Sequence, residues 1–198
     1  MADSNSNMKE LAYFADRQFE TISRKANPPK PGEYENCRFL NCDLAECNFS
    51  DFVFTDCEFI ECNLSLIKLT QTTLRDAKFQ SCKMLGIHFE ECNDFGLSFS
   101  FDNCTLDHSS FYGTKINKTI FRDSRLLEVD FSESDLTDSS FLNCDLSGAL
   151  FENTNLEKTD FLTSYGYSLD PERNRLRKTR FSSNGLPGLL GKYDIIIE

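Results

Sequence analysis

Apolar residues recur at every fifth position over most of this chain. Across residues 101–161 they are Phe101, Leu106, Phe111, Ile116, Phe121, Leu126, Phe131, Leu136, Phe141, Leu146, Phe151, Leu156 and Phe161. Phe and an aliphatic residue alternate throughout. Two places before each of these lies a mostly small residue, such as Cys104, Ser109, Thr114, Thr119 and Ser124. Neither the period of a strand nor that of a helix divides five well, so no single amphipathic element explains the series. A short fixed period marks a repeat architecture, and that decides how everything else is read.

The same spacing runs upstream through Tyr34, Phe39, Leu44, Phe49, Phe54, Phe59, Leu64, Leu69, Leu74, Phe79, Met84 and Phe89. The next position is Asp94, wrong for a core, and the series resumes two residues late. The slip falls within residues 93–98, where Gly96 suits a bulge or kink. Phe14 and Phe19 share the register of Tyr34, and Leu176 and Phe181 share that of Phe161. Between them, residues 23–32, with three Pro and a Gly, and residues 164–172 read as excursions. Residues 1–13 read as a loose tail, with a short helix over residues 6–15 as an option. The repeat occupies residues 14–183, and residues 184–198 form a closing unit. There Leu186, Leu189, Leu190 and Tyr193 follow helical spacing, with Ser183 or Asn184 as a cap and Pro187 in the first turn. Residues 194–198 read as a short strand or extended tail.

Stretches such as Cys42-Asp43-Leu44, Ser134-Asp135-Leu136-Thr137-Asp138 and Thr154-Asn155-Leu156-Glu157-Lys158 repeat one formula: small, Asp or Asn, Leu or Phe, polar, variable. In this the chain resembles the pentapeptide-repeat family. The resemblance implies an all-β fold, a right-handed quadrilateral parallel β-helix, with a short helix closing the C-terminal end. Each pentapeptide makes one side and four make a coil. Central and small residues point inward and the rest meet water. Read by twenties, Phe19, Phe39, Phe59, Phe79, Phe101, Phe121, Phe141, Phe161 and Phe181 form one ladder, and the slip is confined to the column of Tyr34, Phe54, Leu74 and Ile116. About eight coils spaced as neighbouring strands give a rod of ~40 Å.

The repeat also disposes of several chemical candidates. All nine Cys fall in the small inward slot, where Cys serves as a small buried hydrophobe. Cys42, Cys62, Cys82 and Cys104 stack in one column, too far apart at Cβ for an unstrained bridge and in a line rather than a tetrahedron. Thiol redox or metal chemistry is the competing reading of these residues. His88 and His108 fall in outward slots without a partner motif. There is no phosphate loop and no nucleophile elbow. A filled coil leaves no ligand-sized cavity, so neither an enzyme nor a cofactor is expected. No apolar run reaches transmembrane length, and residues 1–7 lack a signal core, so the expected setting is cytoplasmic, away from membranes.

Function then lies on the outside. The chain carries a formal net charge of −11, which argues against direct nucleic-acid binding and permits attraction of basic proteins. Asp51, Glu90, Glu91, Glu133 and Glu152 follow one column, and Asp56, Asp76 and Asp138 the adjoining one, interrupted by Lys118 and Lys158. They form either an acidic band or ordinary solubilising charge. The mid-rod interruption, the end excursions and the closing Leu186-Pro187-Gly188-Leu189-Leu190-Gly191-Lys192-Tyr193 resemble the Qnr-type quinolone-resistance proteins and their chromosomal relatives. That resemblance implies a homodimer joined through the C-terminal helix, with Leu186, Leu189, Leu190, Tyr193, Ile195 and Ile197 at its interface. It also implies a DNA-mimicking rod that engages DNA gyrase or topoisomerase IV and relieves quinolone inhibition. The chain departs from that group in lacking long loops on the sides of the rod. A scaffolding rod with another partner is the alternative.

Overall fold

The computed structural model describes residues 12–193 and 195–197. The chain winds about eight turns of a four-sided parallel β-helix. Two sides are sheet. One has four strands, Ala12–Ala15, Gly32–Glu35, Val53–Thr55 and Thr73–Arg75. The other has nine, running from Gln18–Glu20 through Ala77–Gln80 and Phe99–Asp102 to Arg180–Phe181. The remaining sides are held by isolated parallel bridges such as Asp43↔Asn63 and Asp130↔Leu150. The start of the chain corrects one expectation: Ala12–Ala15 is a strand paired with Gly32–Glu35, while the rest of the expected helix lies outside the described residues.

The corners explain the five-residue period. The second residue after nearly every central apolar one takes left-handed backbone: Asn36 at φ 48, Asn41 at 52, Asp56 at 53, Asn143 at 56. Asn and Asp tolerate that conformation better than other side chains, hence their abundance. Most corner N–H groups donate to the next coil, as Asn36 does to the Thr55 carbonyl at 3.0 Å. Central N–H groups do the same, Leu44 to Asn63 at 2.8 Å, while the preceding residue donates backward, Asn63 to Cys42 at 2.9 Å. Away from residues 93–98 the ladder between coils thus pairs most of the main chain of the winding.

Inside, rings stack along the axis and meet edge-on across it. Phe121 and Phe141 lie 4.8 Å apart at 2°, and Phe111 meets Phe121 at 5.8 Å and 87°. Both are favoured aromatic geometries. The small inward slot does more than save space. Thr72 Oγ1 donates to the Phe49 carbonyl at 2.7 Å, and Thr154 Oγ1 to that of Phe131 at 2.9 Å. Cys62 Sγ reaches the Phe39 carbonyl at 3.3 Å in the same way. The slot therefore favours small residues that can donate a hydrogen bond, and Cys, Ser and Thr interchange in it.

Neither end segment adds residues to the winding. Ala12 pairs with Gly32, and Asn155 bridges Arg175, each twenty residues on. The segments cover two sides each with non-repeat backbone. The later one sends Tyr167 and Leu169 into the core rather than looping outward. The closing helix also differs from the expected α-helix. It is two 3₁₀ stretches, Ser183–Leu189 and Gly191–Tyr193, and its cap is Ser182, whose hydroxyl accepts from Gly185 N–H at 3.2 Å. Three Gly and Pro187 deny it α-helical continuity, and a Cβ on Gly188 would sit 2.3 Å from the Tyr167 carbonyl. Ile195–Ile197 pair with no strand, and Asp194 and Glu198 lie outside the described residues.

Candidate interaction surfaces

The eight acidic candidates are all exposed. Asp51 (φ 65), Asp56 (φ 53), Asp76 (φ 50), Glu133 (φ 60) and Asp138 (φ 59) are corner residues, so the winding itself aims them outward. Glu90 and Glu91 lie in the 3₁₀ turn Phe89–Glu91, immediately before the slip. Asp51, Glu91 and Glu133 share one edge, and Asp56, Asp76 and Asp138 the next. Together these edges frame the side that carries Tyr34, Phe54, Leu74 and Ile116.

Neutralisation divides the set. Asp138 pairs with Lys158 at 3.5 Å, and Glu152 takes both amino nitrogens of Arg173 at 3.3 and 3.0 Å. Glu90 contacts His88 at 2.8 Å. Glu91 accepts from Thr70 Oγ1 at 2.8 Å, and Asp76 from Ser98 Oγ at 3.2 Å. Among the described residues, Asp51, Asp56, Asp76, Glu91 and Glu133 have no cationic partner within salt-bridge distance. Glu133 also raises the Tyr112 phenol pKa through a hydrogen bond. The uncompensated charge thus lies on the first two-thirds of the rod. Lys158, Arg173, Arg175, Arg177 and Lys178 dominate the far end of the same side.

The six apolar candidates also divide. Leu189 and Leu190 are half-buried, and Leu189 packs against the core. Leu186 is 49% exposed and Tyr193 52%, and Ile195 and Ile197 are likewise exposed. Ile196, outside the expected set, is 89% exposed. Lys192 fixes this end, with Nζ at 2.7 Å from Asp170 and 2.8 Å from Glu172. Those contacts raise the Lys192 pKa and lower those of both carboxyls.

All nine Cys are free and buried. Burial pushes the thiols of Cys57, Cys92 and Cys144 up to about 12, far from the thiolate form. Among the described residues, no group of three His, Cys, Asp or Glu side chains could hold a metal ion. His108 faces Glu128 at 3.2 Å on the surface. No described helix is long and apolar enough to cross a membrane.

The family described as pentapeptide repeat region matches residues 33–100 and 96–165. The chain is a pentapeptide-repeat protein. Among solved structures, a trypsin-treated variant of QnrB1, a plasmid-mediated fluoroquinolone resistance protein, is similar to it with TM-score 0.60 and 16% identity, over 95% of this chain and 98% of that one. HetL, a pentapeptide-repeat protein involved in heterocyst differentiation regulation in the cyanobacterium Nostoc sp. strain PCC 7120, is similar with TM-score 0.70 and 13% identity, over 87% of each chain. At such identities the likeness is one of fold. No curated protein matches the sequence.

Sequence reasoning passed over three residues on the framed side or at its edge. Phe95 is 77% exposed, the Arg75 guanidinium lies 5.5 Å from its ring centroid, and Tyr112 is exposed as well. The signal for Phe95 was present. An aromatic one residue off the five-fold register has no inward slot.

Proposed function

We propose that this pentapeptide-repeat protein is a non-catalytic, cytoplasmic protein-binding rod whose acidic side engages a basic, DNA-gripping protein surface. A type II topoisomerase, DNA gyrase or topoisomerase IV, is the target this reading names, with quinolone protection as its consequence. One observation carries it: Asp51, Asp56, Asp76, Glu91 and Glu133 frame one side of the rod and, among the described residues, have no cationic partner within salt-bridge distance. The fold shared with QnrB1 supports it. Magnitude limits the mimicry. A net charge of −11 over a ~40 Å rod is about one charge per 3.6 Å, roughly half the density of duplex DNA at about one per 1.7 Å. The rod imitates the sign and shape of DNA more than its charge density. The exposed Leu186, Tyr193, Ile195 and Ile197 support a homodimer joined at the C-terminal end.

Supercoiling assays with purified gyrase, with and without ciprofloxacin, test this reading. Inhibition or drug relief is expected, weakened when Asp51, Asp56 and Glu91 become amides. No effect at any concentration sinks it. The second reading, a scaffold for a different protein, is favoured by the absence of long side loops among the described residues and by the shared fold of HetL. A rod inert toward gyrase that loses another partner on the same amide substitutions would establish it.

A further inference from the structure

The register slip leaves the ladder between coils open on the framed side. Asn93 N–H still donates to the Thr72 carbonyl at 2.9 Å, and Ser98 N–H reaches the Leu74 carbonyl at 3.0 Å. Phe79 then pairs with Phe101, twenty-two residues on instead of twenty. The added length turns at Phe95 and Gly96, where Gly96 takes φ +72. Beyond it the next coil finds no strand to pair with. The four-stranded sheet ends at Thr73–Arg75, and pairing on this side resumes at Lys115↔Asp135. Among the described residues, Lys115 N–H, Lys115 C=O and Asn117 C=O have no hydrogen-bond partner. In the coils below, the equivalent groups are paired, as Asp135 N–H is with the Thr114 carbonyl at 2.8 Å. The three groups are spaced as one edge of a parallel ladder.

Two clefts flank the insert. One, of ≈ 130 Å³, has Phe89, Cys92 and Leu97 among its lining, with Glu90, Asp94, Tyr112 and Lys115. The other, of ≈ 330 Å³, includes Asn117 and Lys118. Glu90 and Asp94 in the lining, with Glu91 next in sequence, stand against Lys115 in the cleft and Arg75 beside it. Asp94 accepts through its main-chain carbonyl, from Leu97 N–H at 3.5 Å, and its carboxylate is in no ion pair among the described residues. Phe95 stands beside this cleft with the guanidinium of Arg75 near its ring.

We propose that the slip is a docking site for an extended, arginine-bearing segment of a partner protein. The partner's main chain takes the open groups of Lys115 and Asn117, in the manner of strand addition to a sheet edge. A guanidinium then lies against the solvent-exposed face of Phe95, away from Arg75, and reaches Glu90 and Asp94, giving it planar stacking and carboxylate acceptors together. Arginine suits this better than lysine, whose ammonium is a compact, strongly hydrated charge. The site goes beyond the topoisomerase reading, and its test contains no topoisomerase, so the two fail separately.

The probes are fluorescein-labelled hexa-arginine and hexa-lysine, titrated against the full chain by anisotropy, with amide hydrogen exchange read at Lys115. Hexa-arginine should bind saturably and slow exchange at Lys115. Phe95→Ser, at a solvent-exposed ring, should weaken binding about tenfold, and Asp94→Asn by several-fold. Glu61→Gln, an exposed corner residue at φ 54 on the opposite side of the coil, should leave binding within about twofold. Equal binding of hexa-lysine, an unchanged Phe95→Ser variant, or unaltered exchange at Lys115 would each overturn the proposal.

Discussion

Phe79 and Phe101 stack with ring centroids 5.3 Å apart and planes 12° apart, across the point where the winding gains two residues. The stack is as close as those on either side, Phe59 on Phe79 at 5.2 Å and Phe101 on Phe121 at 5.2 Å. The insertion is therefore absorbed on one side of the coil, and the Phe ladder passes it undisturbed. A core built from a continuous ladder tolerates surface irregularity because its packing does not depend on that side.

Mid-ladder truncation should then be costly. Phe121 is fully buried, stacked on Phe101 and Phe141 and edge-on to Phe111 and Phe131. Neighbouring coils are tied by hydrogen bonds and cannot collapse into the gap. Phe121→Ala should cost ~3–5 kcal/mol. The check is urea unfolding followed by circular dichroism. A midpoint equal to the parent's would mean that the coils do not depend on this stack.

The corner rule allows a change in the opposite direction. Leu66 holds left-handed backbone at φ 57 with its side chain 57% exposed. A branched apolar residue gains nothing there and carries the backbone penalty, which Asn largely escapes. Leu66→Asn should stabilise the rod by about 0.5–1 kcal/mol. A lower melting temperature for this variant would count against the corner account of the Asn and Asp abundance.

The Phe ladder was legible in the sequence because one period governs it, and the position of the slip was legible because Asp94 cannot fill a core slot. The hydrogen bond that Cys62 and Thr72 make to an inward carbonyl was not, since small size alone accounts for the composition of that slot. Pro28, Pro29, Pro31 and Gly32 signalled an excursion, yet the segment winds in register: Pro and Gly report backbone conformation, not path length. Leu186, Leu189, Leu190 and Tyr193 fit an α-helical face, but Gly185, Gly188 and Gly191 let the chain tighten to 3₁₀ against Tyr167. The exposure of Asp51, Asp56, Asp76, Glu133 and Asp138 follows from their corner positions. Their neutralisation by Lys158 and Arg173 needed the coil-to-coil register.

Acid and alkali should both loosen the C-terminal closure. Lys192 holds Asp170 and Glu172 with depressed carboxyl pKa values, the hydrogen bond from Lys192 being the largest cause in each. Groups whose pKa is depressed on folding stabilise the fold above their unfolded pKa, and that contribution is lost as pH falls through the folded value. Lys192 is raised, so its share is full below its unfolded pKa and lost as pH climbs past the folded one. The closure should hold through neutral pH and loosen at both extremes. Exchange at Leu169 N–H, bonded to the Gly188 carbonyl at 3.0 Å, reports it. After correction for intrinsic rates, protection there should fall at low pH, and Lys192→Met should remove the dependence. Protection that is flat with pH in the parent chain would refute the latch.

Assembly should depend on the exposed part of that closure rather than on its whole apolar face. Leu189 packs against the core, so Leu189→Asp would unfold the end and confound any reading of oligomeric state. Leu186 and Ile196, 49% and 89% exposed, can be changed without touching that packing. The paired substitution Leu186→Asp and Ile196→Asp places like charges on both faces of a symmetric contact, where each meets its own copy. Light scattering on the parent should give twice the chain mass, and on the double variant the chain mass, with circular dichroism unchanged. A dimer that survives the double substitution would place the interface elsewhere on the rod, and a monomeric parent would dismiss end-to-end pairing altogether.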